Sequence, residues 1–148
     1  MFQLLIVDDE IESLEWLVEL FEACDEEINI YTASVAREAL ELLNDIKFDI
    51  VLTDIQMPGM DGLELYKRIK ENWSHIRVIF LTGYSTHEIL YQVAQDKTIR
   101  YLVKTETPQK IVNRVLEVYG ALRKEREPPL KQRQNEALLS QGKYWLEK

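Results

Sequence analysis

Short apolar runs alternate with longer stretches of helical periodicity along this 148-residue chain. The runs are Leu4–Val7, Ile28–Tyr31, Ile50–Leu52, Val78–Leu81 and Ile99–Val103, all rich in β-branched residues. They are mostly continuous rather than alternating, which is the pattern of strands buried on both faces. Between them, Leu14, Leu17, Val18 and Phe21 share one helical face, and Ala36, Ala39, Leu40 and Leu43 share the next. Leu65 and Ile69 supply a third, and Ile89, Leu90, Val93 and Ala94 a fourth. Helix starts are marked as well. Asp61 before Glu64 and Ser85 before Glu88 have capping-box spacing. Thr107-Pro108 gives a cap followed by proline at the first helical position, opening a fifth helix. Strands alternating with helices predict an α/β fold, a doubly wound parallel sheet of five strands with five helices on its two faces.

The pattern breaks after Leu122. Arg123–Glu127 is fully charged, and Pro128-Pro129 cannot continue a helix without a sharp kink. Residues 1–122 therefore read as one domain, and 123–148 as a charged linker or C-terminal helical extension. Val112, Val115, Leu116, Tyr119 and Leu122 exceed the single stripe a covering helix needs. The expectation is a helix that projects past the body with Tyr119 and Leu122 exposed, available for weak self-association.

Composition narrows the function classes. The net charge is −8, with residues 1–107 at −12 and residues 108–148 at +4. So acidic a body argues against direct nucleic-acid binding. No apolar stretch approaches the roughly 20 residues needed to span a bilayer, and no signal peptide opens the chain, so a cytoplasmic location is the default. A lone cysteine, Cys24, reads as a small buried hydrophobe. His75 and His87 read as surface residues, and Trp16 and Trp73 as packing aromatics.

The chemistry lies just past the strands. Asp8 and Asp9 follow the first run, Asp54 the third, Thr82 the fourth, and Lys104 the fifth. These positions fit a flavodoxin-like sheet of order 2-1-3-4-5, whose crevice opens at the carboxyl ends of strands one and three. Any one of them alone is an ordinary cap or turn residue. Together they form a complete set for phosphoryl transfer to a carboxylate. Asp54 is the nucleophile. Asp9 and Asp54, supported by Asp8 and by the backbone carbonyl of Gln56, offer hard oxygen ligands to Mg²⁺. Lys104 and the metal neutralise the charge of the transferring group, and Thr82 donates to one of its oxygens.

The acidic pair Asp8-Asp9, the segment from Asp54 through Met57-Pro58 to Asp61-Gly62, Thr82-Gly83 and Tyr101–Lys104 resemble the receiver domain of bacterial two-component response regulators. The resemblance covers about residues 2–122. It implies that Asp54 accepts a phosphoryl group from a sensor histidine kinase, with Thr82 as switch hydroxyl, Tyr101 as switch aromatic, Lys104 as the site lysine and Mg²⁺ as the metal. It also implies output through the face of the fourth helix, fifth strand and fifth helix, where a homodimer is expected to form; no membrane contact is expected from the apolar runs. Two features are particular to this chain. Lys104 is followed by Thr105-Glu106 where such domains usually carry proline, and Gln56 and Tyr84 stand where side chains overhang the acceptor.

The segment Tyr101–Glu106 and the charged extension resemble receivers joined to AraC-type DNA-binding domains. The 26 residues after Leu122 are too few for such a domain. The expectation is thus a transcription regulator whose DNA-binding part is absent from this chain; a stand-alone or phosphorylation-independent receiver acting by protein binding is the alternative. A hydrolase of the haloacid-dehalogenase type also uses an aspartate nucleophile with Mg²⁺, but needs Asp-x-Asp where this chain has Asp8-Asp9-Glu10. A flavodoxin-like electron carrier needs a phosphate loop after the first strand, and none follows Val7.

Overall fold

The computed structural model describes residues 2–83, 95 and 100–126. In chain order the described elements are β1 (Phe2–Val7), α1 (Ile11–Glu22), β2 (Ile28–Ala33), α2 (Ala36–Asp45), β3 (Ile50–Thr53), α3 (Gly62–Asn72), β4 (Arg77–Thr82), β5 (Arg100–Val103) and α4 (Pro108–Arg126). The helix expected around Ile89–Ala94, with its Ser85–Glu88 cap, His87 and Tyr84, lies outside the described residues. All five strands are parallel, in the order β2-β1-β3-β4-β5 that the strand-end residues fit.

Alternation along each strand splits the core into two layers. Leu5, Val7, Val51, Val78 and Phe80 point to the side covered by α2 and α3. Leu4, Ile6, Ile50, Leu52, Ile79 and Leu81 point to the side covered by α1 and α4. Both layers exclude water, which is why β1, β3 and β4 are apolar at nearly every position. Two of the expected caps are formed: the Asp61 carboxylate accepts from the Glu64 amide at 2.9 Å, and Thr107 Oγ1 accepts from the Lys110 amide at 3.3 Å.

Several expectations are corrected. The last helix does not project: Leu122 is 3% exposed, and the Tyr119 ring stacks on Phe2 with centroids 4.1 Å apart. Its final turn is tied down too, by ion pairs from Arg126 to Asp49 and from Arg77 to Glu125. Asp49 is itself fixed, since its Oδ2 accepts from the Gln3 amide at 2.8 Å. Trp16 is 39% exposed rather than packed, because it stands on the α1 flank away from Leu14, Leu17 and Phe21. His75 is half-buried at the entrance to β4 rather than on the surface. Cys24 is only half-buried, at the edge of the α1 layer.

Candidate functional site

Asp8, Asp54 and Lys104 each stand one position beyond a strand and are still held by a last sheet hydrogen bond. The Asp8 amide donates to Ala33 O at 3.1 Å, the Asp54 amide to Val7 O at 2.9 Å, and the Lys104 amide to Thr82 O at 2.6 Å. The sheet thus carries its hydrogen bonding one residue past β1, β3 and β5, to the residues that bear these side chains. Thr82 closes β4 opposite Val103 and is 3% exposed.

The side chains meet at Lys104. Its ammonium lies 2.8 Å from Asp8 Oδ2 and 3.1 Å from Asp54 Oδ2. Asp8 is 1% exposed and Asp54 8%, so two carboxylates are buried side by side with one ammonium between them. The cation that gathered acids require is therefore supplied by the chain itself. Asp54 Oδ1 is held from the other side, accepting from the Ile55 amide at 2.7 Å. Burial pushes the Asp54 carboxyl above its ordinary value, and neighbouring Asp8 adds to this, against the opposing pull of Lys104. Burial works against the charge on Lys104, but its hydrogen bond to Asp8 and its attraction to Asp54 and Asp8 prevail and hold its pKa above the ordinary lysine value. No peptide bond among the described residues is cis, so the Lys104–Thr105 bond is trans.

A metal ion has a place here. Carboxylate oxygens of Asp8, Glu10 and Asp54 lie within 4.8 Å of one another, a set of hard donors that fits Mg²⁺. Glu10 is the member that periodicity missed. Its amide donates to Asp8 Oδ1 at 3.0 Å, so the chain turns on the Asp8 side chain immediately after β1. The available signal was an acid two positions past a strand-end acid. Asp9, expected as a ligand, is exposed and outside this trio. Gln56 is exposed beyond Asp54. Tyr101 sits on β5 beside Phe80, half-buried against the layer under α2 and α3, the same face to which alternation along β4 assigns Thr82.

Known proteins share the fold and much of the sequence. A family model described as the response regulator receiver domain matches residues 4–116. The hydrogenase transcriptional regulatory protein HoxA of Cupriavidus necator is 33% identical over 118 residues, covering 79% of this chain and 24% of that protein. The positive alginate biosynthesis regulatory protein of Pseudomonas aeruginosa is 41% identical over 101 residues, covering 68% of this chain and 40% of its own length. This chain thus spans less than half of either relative. A solved structure of a two component transcriptional regulator AraC from Clostridium phytofermentans superimposes with a TM-score of 0.75 at 29% identity, covering 86% of this chain and all of that one. Sequence likeness over most of the chain and a common sheet order lead to one conclusion: the chain belongs to the response regulator receiver domain family.

Proposed function

We propose that this chain is a phosphorylation-controlled switch that takes a phosphoryl group from a sensor histidine kinase onto Asp54. Receiver domains are signalling modules rather than enzymes that turn over a separate substrate. The observation that carries the reading is the Lys104 ammonium held between Asp8 and Asp54, at 2.8 and 3.1 Å, where three strands end. In the transfer, an Asp54 carboxylate oxygen attacks the phosphorus. The bond from phosphorus to the donor nitrogen breaks, and that nitrogen keeps the electron pair and takes up a proton. An acyl phosphate is left on Asp54. Lys104 moves from pairing carboxylates to pairing phosphoryl oxygens, and the Thr82 hydroxyl donates to one of them. Asp8, Asp9, Glu10, Asp54 and the Gln56 carbonyl are the groups available to hold Mg²⁺, which when bound neutralises charge on the transferring oxygens. The slow loss of phosphate to water resets the switch.

Readout follows from position. Thr82, drawn toward the phosphoryl group, frees space on the face that it shares with Tyr101, and the two rotamers bias one equilibrium. In this reading the signal leaves by edge strand β5 and α4, through self-association and through a DNA-binding domain absent from this chain, in the cytoplasm. Several relatives, HoxA among them, are transcriptional regulatory proteins, which supports that output.

Incubation with a small phosphodonor and Mg²⁺ should add a single phosphoryl group by intact mass, and Asp54→Ala should abolish it. Full labelling of the alanine variant would remove Asp54 from the reaction.

A further inference from the structure

Gly59 and Gly62 lie in the loop between β3 and α3 and on the first turn of α3, and they are glycines for different reasons. Gly59 has φ +79° and open space around it, so its backbone angle demands glycine. Gly62 has no such angle, since Gly59 is the one described residue with positive φ. It is required by space. A Cβ at position 62 would lie 2.1 Å from the Asp54 carbonyl oxygen, 2.9 Å from Ile55 Cα and 3.0 Å from the Asp54 carbonyl carbon. The Gly62 amide, on the same turn, donates to Ile55 O at 2.7 Å. The first turn of α3 is therefore seated directly on the peptide that joins Asp54 to Ile55.

That peptide also aims the acceptor. The Ile55 amide grips Asp54 Oδ1 at 2.7 Å, and this leaves Oδ2 facing the Lys104 ammonium at 3.1 Å. We propose that Gly62 is a positioning residue for Asp54, which fixes the direction of the acceptor carboxylate by letting α3 press on the Asp54–Ile55 peptide. The inference rests on the receiver reading for its kinetic consequence, but its geometry stands apart from that reading. One added methyl group must move the peptide by roughly an ångström, a displacement that costs on the order of a hundredfold when it falls on a reacting group. A close-packed surround leaves little room to absorb the shift elsewhere.

Gly62→Ala tests this in the full chain, by the rate of phosphoryl uptake from a small phosphodonor with Mg²⁺ and by the amide resonance of Ile55 without donor. The control is Ile69→Val, two turns along α3 and buried in the same layer. Gly62→Ala should slow uptake tenfold to a hundredfold and shift the Ile55 resonance. Ile69→Val, compared where both variants are fully folded, should keep the wild-type rate and resonance. A wild-type rate with an unmoved Ile55 signal in Gly62→Ala overturns the proposal, as does equal slowing in Ile69→Val. Should Gly62→Ala fail to fold, Asp61→Ala loosens the same turn without adding an atom, by removing the 2.9 Å cap on the Glu64 amide. Its Ile55 resonance should move, and an unmoved one overturns the proposal. A wild-type chain that takes no phosphoryl group would sink the phosphorylation reading, while the Ile55 signal still decides whether Gly62 seats Asp54.

Discussion

His75 enters β4 with its Nε2 enclosed and without a hydrogen-bond partner among the described residues. Burial lowers its pKa, and the cations Lys47, Arg126 and Arg77 lower it further, against Asp49 alone. A histidine whose folded pKa is depressed binds fewer protons folded than unfolded. Stability therefore falls as pH drops below about 6.5, and the loss is complete once pH has passed the folded value. Urea midpoints between pH 7.5 and 5 should decline in the wild type and decline less in His75→Gln; parallel curves would show that His75 carries none of the effect. At the other end of the sheet, Asp8→Asn should weaken Mg²⁺ binding by about tenfold or more in calorimetry, and an unchanged affinity would take Asp8 out of the metal site. Asp8 and Asp54, which the structure brings to the Lys104 ammonium, were legible in the sequence because β1 and β3, buried on both faces, announce their own ends. Glu10 was not. Whether an acid after Asp9 turns back toward Asp54 is decided by a side-chain-to-amide bond at Asp8, which periodicity does not contain.

Among the elements, α4 holds most of the surprises. Tyr119→Ala should cost about 2 kcal/mol in reversible unfolding, from lost ring contact with Phe2 and the space left behind. A double-mutant cycle with Phe2→Ala should return about 1 kcal/mol of coupling, and additive effects would deny the stacked pair any role of its own. The strands themselves could be read directly, since β1, β3 and β4 are apolar at nearly every step. Helix starts were legible at Asp61 and Thr107, where side chains cap the first turn. At α1 and α2 no side chain caps the preceding Glu10 or Val35, so the chain carries no start signal there. The surplus apolar width of α4 was visible too, but not what lies under it. Contacts such as Arg126 with Asp49, 77 positions apart, follow from the length of the sheet beneath the helix, and no local pattern encodes that length.

At the scale of the whole molecule, β5 is an edge strand whose four residues are all half-buried, and the proposed output leaves through it and α4. Sedimentation of the chain with and without a phosphoryl mimic should show a shift from monomer toward dimer on activation. Identical monomers would reject self-association as the output. No described helix is long and apolar enough to cross a membrane. The sheet order also sets which parts of the chain depend on each other. Phe2 stacks on Tyr119, and Leu4, Ile6, Ile50 and Leu52 are covered by Ile111, Val112, Val115 and Val118, so the first strand and the last helix seal one layer together. Synthesis on the ribosome must deliver those partners in order. Among the described elements β1 leaves first and α4 last, and the part of this face that α1 does not cover stays bare until α4 emerges. Of the described elements, the α2–α3 layer can close early, while the α1–α4 layer waits. A stall before position 107 would leave that apolar surface without its α4 cover, open to aggregation or to a chaperone.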